Sequence, residues 1–167
     1  SLSLKHLGKY LRKSYTKLKK EVEEKYKNKL SDDTIENIIQ NRLQEELTLG
    51  IQTIQYQINT FMATNGQSPF ITLFLELSEN DQYQKENAMI IQEILNQRIK
   101  GIQNENGIYV TPLQPNLVYV LDEQNCLKGG KYDYLTKLAI ECSLKRLSPN
   151  YISAKKMREN YKNKVFS

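Results

Sequence analysis

The sequence predicts an α/β fold in which two long helices precede a series of strands and shorter helices. Two observations predict this class. Apolar residues recur every three or four positions between residues 4 and 62, which is the helical period. Beyond a turn cluster at residues 65–69, short runs appear that are apolar on both faces, and such runs are typical of buried strands in a parallel sheet. The 167 residues are enough for a domain with a hydrophobic core.

The two long helices are expected at residues 4–29 and 35–62. The first carries its apolar stripe among lysines, and Ser31-Asp32-Asp33 separates it from the second. Asp33 followed by Glu36 has the spacing of a capping box, in which side chains bind the free amides of the first turn. A short connection between two such helices predicts a helical hairpin, and the near-heptad stripes suit a bundle that is shared between two subunits.

The remaining elements differ in type along the chain. Branched and aromatic residues predict strands, and the helical period predicts helices. The expected strands are residues 70–77, 108–110 and 116–121, and the expected helices are residues 85–99, 132–147 and 153–163. Gly101 is expected to end the first of these helices, and Pro112 and Pro115 exclude one continuous strand between residues 108 and 121. Two or three interior strands are too few for a closed sheet, so the chain is expected to be part of a larger fold.

Positive charge is concentrated at both ends of the chain. Residues 1–29 contain ten Lys or Arg and three Glu, and residues 153–167 contain five and one. The whole chain has a formal net charge of +5, so the residues between these ends are acidic overall. The basic ends indicate a phosphate-bearing partner or a solvated face of a larger assembly.

Several classes of protein are disfavoured by composition. Cys126 and Cys142 lie 16 residues apart and His6 is the one histidine, so the sequence offers neither zinc-ligand spacing nor a disulfide framework. Reduced thiols favour the cytoplasm. No apolar run approaches the roughly 20 residues of a membrane helix. The chain starts at Ser1 without an initiator Met, which favours a piece of a longer protein.

Three stretches carry a resemblance to a known family. They are Gly50–Thr60 continuing through Ala63–Phe70; Tyr109–Pro112 with Pro115 and Leu117–Leu121; and Tyr132–Ala139 followed by Cys142, Lys145-Arg146, Pro149 and Ile152–Met157. In residue pattern, order and spacing they resemble the anaerobic (class III) ribonucleoside-triphosphate reductases. The likeness covers nearly the whole chain.

The resemblance implies a ten-stranded α/β barrel of the glycyl-radical/ribonucleotide reductase type, of which residues 63–167 form a part. Enzymes of this family reduce ribonucleoside triphosphates to deoxyribonucleoside triphosphates. A glycyl radical, installed by an iron–sulfur and S-adenosylmethionine activase, generates a thiyl radical on a finger-loop cysteine, commonly with formate as reductant. The family's Met-Gly-Cys-Arg-Ser-type finger loop would begin just beyond Ser167, and the glycyl-radical loop and the zinc-binding tail are also expected outside this chain. The resemblance therefore implies no catalytic residue, metal ligand or cofactor here, and no activity for this chain alone.

The resemblance also implies which residues bind nucleotides. Residues 1–62 look like the helix pair at the dimer interface, where a deoxynucleotide effector binds, and a homodimer through residues 4–62 is expected. Lys27 looks like a ligand of the effector phosphate, for which an ammonium group is suited. The loop that couples effector binding to substrate choice is expected at Asn65, Gly66, Gln67 and Ser68. The expected partners are nucleoside triphosphates, the rest of the reductase chain and the activase, in the cytoplasm and without a membrane.

Two other functions remain open from the residues themselves. Tyrosines interleave with lysines in residues 1–29 and 153–167, which is the composition of a basic helical nucleic-acid-binding module. Gly107-Ile108-Tyr109 followed by Tyr119-Val120-Leu121 resembles the paired-strand signature of GIY-YIG nucleases, with Arg146 as the phosphate-stabilising residue. Leu121 stands where that signature requires Gly, which disfavours the nuclease.

Overall fold

The computed structural model describes residues 2–4, 7–27, 29–64, 71–77, 81–103, 106–112 and 114–162. Its elements, in chain order, are β1 (Leu2–Ser3), α1 (Leu7–Tyr26), α2 (Asp32–Thr64), β2 (Thr72–Leu75), α3 (Gln84–Lys100), β3 (Ile102–Gln103), β4 (Tyr109–Val110), β5 (Asn116–Leu121), α4 (Glu123–Cys126), α5 (Asp133–Arg146), β6 (Asn150–Ser153) and α6 (Ala154–Lys162). The α/β class predicted from the sequence is therefore confirmed.

Four of the described strands form a parallel sheet in the order β1-β2-β5-β6. The register pairs Leu73 with Leu117 between β2 and β5, and Tyr119 with Tyr151 between β5 and β6. The central strands are the most apolar, and Leu75 and Leu117 are fully buried. Strands β3 and β4 form a separate antiparallel pair beside this sheet. Within the described residues, β1 and β6 are the edges of the parallel sheet.

Helices α1, α2 and α3 pack against one another beside the sheet. The stripe predicted for α1 is buried at Leu11, Leu18 and Val22. Polar contacts fix the relative positions of these helices, because the Tyr15 hydroxyl donates to the Glu36 carboxylate at 3.3 Å and the Arg12 guanidinium contacts Glu86 at 2.6 Å. One hydrophobic cluster continues from these helices through the sheet to α5.

The ends of α1 and α2 differ from the prediction in two details. Helix α1 begins at Leu7, because Leu2 and Ser3 pair with β2 as a strand, and Leu4 is buried. At the start of α2, the Ser31 hydroxyl accepts the Thr34 amide at 3.4 Å. The capping side chain seen here is therefore that of Ser31, one residue before the helix, and not the predicted Asp33, which lies within its first turn.

Four short elements were not predicted, and each depends on contacts that periodicity does not reveal. Strands β1 and β3 contain two residues each. Strand β6 carries the exposed polar residue Asn150 and the exposed Tyr151, so it lacks an apolar run. Helix α4 spans four residues and is held by a capping box between Asp122 and Asn125. The helix predicted at 85–99 ends as expected, because Gly101 has a φ of 82° and donates its amide to Gln97.

Candidate functional site

Lys27 lies in the turn that directly follows α1. Its backbone amide donates to the Glu23 carbonyl at 2.9 Å, which continues the helical pattern by one residue. Its side chain is exposed, as are those of Lys25 and Lys29. Among the described residues no carboxylate forms an ion pair with Lys27, whereas Glu23 faces Lys19 at 3.9 Å. The Lys27 ammonium is therefore open to an anion from solvent.

The predicted specificity loop lies at the other end of α2. Asn65, Gly66, Gln67 and Ser68 fall outside the described residues, so their expected role stays a prediction. Their position along the chain is still informative, because they follow Thr64 directly and Lys27 precedes α2 by five residues. A helix of 33 residues is about 50 Å long. That length is far beyond the reach of one nucleoside triphosphate, so Lys27 and Thr64, the last residue before the predicted loop, do not contact one nucleotide within a single chain.

A cavity of about 620 Å³ lies beside the C-terminal half of α2. Its walls come from α2, from the end of α3, from β3 and β4, and from the sheet. The lining is mainly apolar and includes Ile51, Ile54, Ile94, Leu73 and Leu117. Ile51 and Ile54 belong to the apolar stripe of the helix that the sequence predicts at residues 35–62, and that prediction did not include a cavity. The apolar period shows which side chains share one face of the helix. It does not show how far the neighbouring elements lie from that face.

Three polar side chains that line this cavity, those of Gln55, Gln97 and Arg98, donate hydrogen bonds to backbone carbonyls of other segments. Arg98 is 5% exposed and donates to the Pro112 carbonyl and, at 2.6 Å, to the Pro115 carbonyl. Burial lowers the pKa of Arg98. The Gln97 amide donates to the Thr48 carbonyl at 3.0 Å, and the Gln55 amide donates to the Gln114 carbonyl. This arrangement suits an apolar side chain or a flat ring, and among the described lining residues there is no acid–base pair that could face a substrate.

The structure separates the two halves of the nuclease-like signature. Tyr109 belongs to β4, which pairs with β3, whereas Tyr119 belongs to β5, which pairs with β2 and β6. The two triplets therefore do not lie on paired strands. Arg146, the expected phosphate-stabilising residue, donates to the carbonyls of Ile99 and Lys100 at the end of α3. Its guanidinium serves to hold α5 against α3.

The two cysteines show no sign of nucleophilic activation. Cys142 is fully buried in α5, and burial raises the pKa of its thiol. Burial and the nearby Asp122 carboxylate raise the pKa of the Cys126 thiol. A raised pKa reduces the thiolate fraction, which is the reactive form in nucleophilic chemistry. In the part of the chain that the structure describes, no three His, Cys, Asp or Glu side chains group as metal ligands, and no helix is long and apolar enough to cross a membrane.

Comparison with known proteins identifies the family. The sequence model of the anaerobic ribonucleoside-triphosphate reductases matches residues 2–167. The enzyme of that name from Enterobacteria phage T4 is 32% identical over 152 residues, which are 90% of this chain and 23% of the relative. The Haemophilus influenzae enzyme is 30% identical over 71% of this chain and 16% of its own length. The Escherichia coli enzyme is 29% identical over 88% and 19%.

The chain thus spans about a fifth of the length of the curated relatives that it matches. The matched residues include both the helices and the strands of the sheet. The chain belongs to the anaerobic ribonucleoside-triphosphate reductase family.

Proposed function

We propose that this chain supplies self-association, effector binding and substrate selection to an anaerobic ribonucleoside-triphosphate reductase. In this proposal residues 1–62 form the dimer and effector region as a helical hairpin, and residues 63–167 form part of a ten-stranded barrel. The observation that carries it is the length of α2, which separates Lys27 from Thr64, the last residue before the predicted loop, by about 50 Å within one chain. In this proposal an effector bound to Lys27 therefore contacts residues 65–68 of a second copy of the chain.

An antiparallel pairing of two copies meets this need. If α2 of one protomer runs opposite to α2 of its partner, Lys27 of each protomer comes to the end of the helix where the partner's residues 65–68 begin. A two-fold axis generates two equivalent sites of this kind. Apolar side chains on the outer surface of α2 support such a contact, because Leu49 is 63% exposed and Tyr56 is 72% exposed.

Each such site has complementary chemistry for a deoxynucleoside triphosphate. The Lys27 ammonium binds the phosphates, while the amides and hydroxyl of Asn65, Gln67 and Ser68 bind base edges. Gly66 gives the loop the backbone freedom that a tight turn requires. A coupling free energy of about 1–3 kcal/mol between effector and loop is enough to change which base the enzyme prefers.

We propose that the radical step takes place on parts of the complete reductase outside this chain. In the proposal the complete reductase converts ribonucleoside triphosphates to deoxyribonucleoside triphosphates by glycyl and thiyl radical chemistry, with formate as reductant. It takes its radical from the iron–sulfur and S-adenosylmethionine activase, holds a structural zinc in its tail and acts in the cytoplasm. No residue of this chain is proposed as catalytic or as a metal ligand, so the chain alone is proposed to be inactive.

The test uses two variants that damage different halves of the proposed composite site. Lys27→Gln removes the phosphate ligand, and Gln67→Ala removes a base contact. Binding of each deoxynucleoside triphosphate is measured by calorimetry on each variant alone and on an equimolar mixture. Sedimentation at about 100 µM establishes the dimer, because association depends on concentration.

A composite site predicts that mixing restores binding. In a mixed dimer one site combines the intact Lys27 of one protomer with the intact loop of the other, so random exchange restores about a quarter of the wild-type sites. Lys128→Gln, at an exposed lysine in the turn before α5, is the control and is expected to bind normally. A mixture that binds no better than its components contradicts the composite site, and a monomer under these conditions contradicts self-association.

A further inference from the structure

The outer face of α1 forms a cationic groove together with Tyr83. Four lysines recur there at intervals of three or four residues and therefore share one side of the helix. The groove has a volume of about 420 Å³. It is lined by Lys9, Arg12, Lys13, Thr16, Lys17, Lys20 and Tyr83. Lys27 does not line it, so this surface is separate from the proposed effector contact.

Arg12 builds the floor of the groove and is held in place by α3 and the turn before it. Its guanidinium contacts both Glu86 carboxylate oxygens, at 2.6 and 2.8 Å, and the Gln82 carbonyl at 2.8 Å. It also lies over the Tyr83 ring, 4.8 Å from the centroid. These contacts neutralise Arg12 and fix the distance between α1 and Tyr83. The base of the groove is therefore held by several contacts of Arg12, and the lysines lie along its rim.

The rim lysines keep most of their charge uncompensated. Lys17 and Lys20 face Glu21 and Glu24 at 3.8 and 3.9 Å, with all four side chains at least half exposed. Exposed pairs at that separation contribute little and break readily. In the described part of the chain, Lys9 and Lys13 form no ion pair. Four lysines on one face with two weak partners produce a local positive potential that attracts anions.

An exposed aromatic ring adjoins this row of charges. Tyr10 is 62% exposed, and the Lys13 ammonium lies 5.7 Å from its ring centroid. A solvent-facing tyrosine beside a cationic track is the combination that binds single strands, because bases stack on the ring while lysines contact the phosphates. An acidic peptide would use the lysines but would gain nothing comparable from Tyr10.

We propose that this groove binds single-stranded nucleic acid without sequence preference. From Lys9 to Lys20 the helix advances by about 16 Å, with one or two cations per turn of about 5.4 Å. A compact nucleotide would reach only part of this row, whereas an extended phosphate backbone follows all of it. The groove offers no deep pocket for reading base edges, so binding depends on charge and stacking. This activity is independent of reductase function.

The test measures anisotropy of a labelled oligothymidylate on the full chain over a range of salt concentrations. Contacts from four lysines predict a slope of log K against log salt of about −2.8. Lys13→Gln with Lys17→Gln is expected to flatten the slope to about −1.4 and to weaken binding. Lys128→Gln with Lys155→Gln removes the same charge from exposed lysines outside the groove. This control is expected to leave unchanged the part of the salt slope that the four groove lysines contribute. Equal effects of the two double variants would overturn the proposal.

Tyr10→Ser distinguishes nucleic acid from other polyanions. Loss of a stacking ring is expected to weaken oligothymidylate binding at least about fivefold. Binding of labelled polyglutamate of the same length is expected to be weaker than that of the oligonucleotide and insensitive to the substitution. If polyglutamate binds as tightly and Tyr10→Ser alters neither ligand, the groove is a site for acidic polypeptides and the nucleic-acid assignment is wrong. Thermal melting of each variant verifies that these exposed substitutions leave the fold intact.

Discussion

The two halves of α2 carry the same apolar spacing but meet different surroundings. In the N-terminal half, residues 32–47, Ile35, Ile39, Leu43 and Leu47 are all buried against the other helices. In the C-terminal half, Ile51 is half-buried and Ile54 is 40% exposed beside the cavity, and only Ile58, at 8% exposed, is buried among these three isoleucines. A helical period therefore identifies a face that requires covering. Whether anything covers that face depends on the rest of the assembly.

The strongest test of this comparison truncates one isoleucine in each half. Ile39→Ala, at a position with no exposed surface, is expected to reduce the free energy of unfolding by about 2–5 kcal/mol, because it removes buried methyl groups and leaves a void. Ile54→Ala is expected to cost less than about 1 kcal/mol, since its side chain already borders open space. Urea denaturation followed by circular dichroism measures both. Equal losses would show that the cavity is closed in solution.

A second test removes the residue that holds the cavity's far wall. Arg98→Met keeps the packing volume but leaves the Pro112 and Pro115 carbonyls without their donor. Unpaired buried acceptors predict a loss of about 2–4 kcal/mol. Hydrogen exchange is expected to rise in residues 106–121 and to stay unchanged in residues 32–47. Lys100→Met, at an exposed side chain on the same helix, is the matched control, and a similar loss there would remove the specific role of Arg98.

The helices and central strands follow from the sequence because their apolar residues repeat within a short span. Helix α3 was expected at 85–99 and is found at Gln84–Lys100, and β5 was expected at 116–121 and is found there. Strand β6 was missed because its pairing with β5 gives it an extended backbone, although Ile152 is the one aliphatic residue among its four. Short elements of this kind are fixed by neighbours that are distant in sequence.

The candidate site is predictable to a smaller extent. The exposure of Lys27 follows from its position among lysines at a helix end, and the structure agrees. The large separation between Lys27 and Thr64 also follows from the length of α2, but it bears on function only if the residues at both ends of the helix bind one ligand. The cavity and the groove depend on how α3 packs beside α1 and α2, and no local pattern encodes that distance.

A third test concerns how closely α1 approaches α3. A Cβ atom on Gly8 would lie 2.6 Å from Asn87 Oδ1 and 2.8 Å from the Tyr83 Cβ. Asn87 is buried and donates to Asp81 at 2.6 Å, so it has little room to move. Gly8→Ala is therefore expected to cost about 1–3 kcal/mol of unfolding free energy in denaturant titration. The double variant Gly8→Ala with Asn87→Ala is expected to recover part of the lost unfolding free energy, because it removes the side chain that the new Cβ atom meets. If the losses of the two single variants simply add, the contact between residues 8 and 87 is contradicted.

The smallest expected effect comes from Gly50, at the junction between the two halves of α2. A Cβ atom there meets nothing within 4 Å, and alanine favours the helix over glycine. Gly50→Ala is thus expected to stabilise the isolated chain by about 0.5–1 kcal/mol, measured by denaturation at low protein concentration.

The same substitution also tests whether a second copy of the chain packs on the C-terminal half of α2. Gly50 adjoins the exposed Leu49, so a second copy packed on this part of α2 would approach the new methyl group. If the pairing proposed above uses this part of the helix, Gly50→Ala raises monomer stability while weakening the dimer in sedimentation. A variant that is more stable and dimerises normally would place the contact elsewhere along α2, and a less stable monomer would show that the space beside Gly50 is already filled.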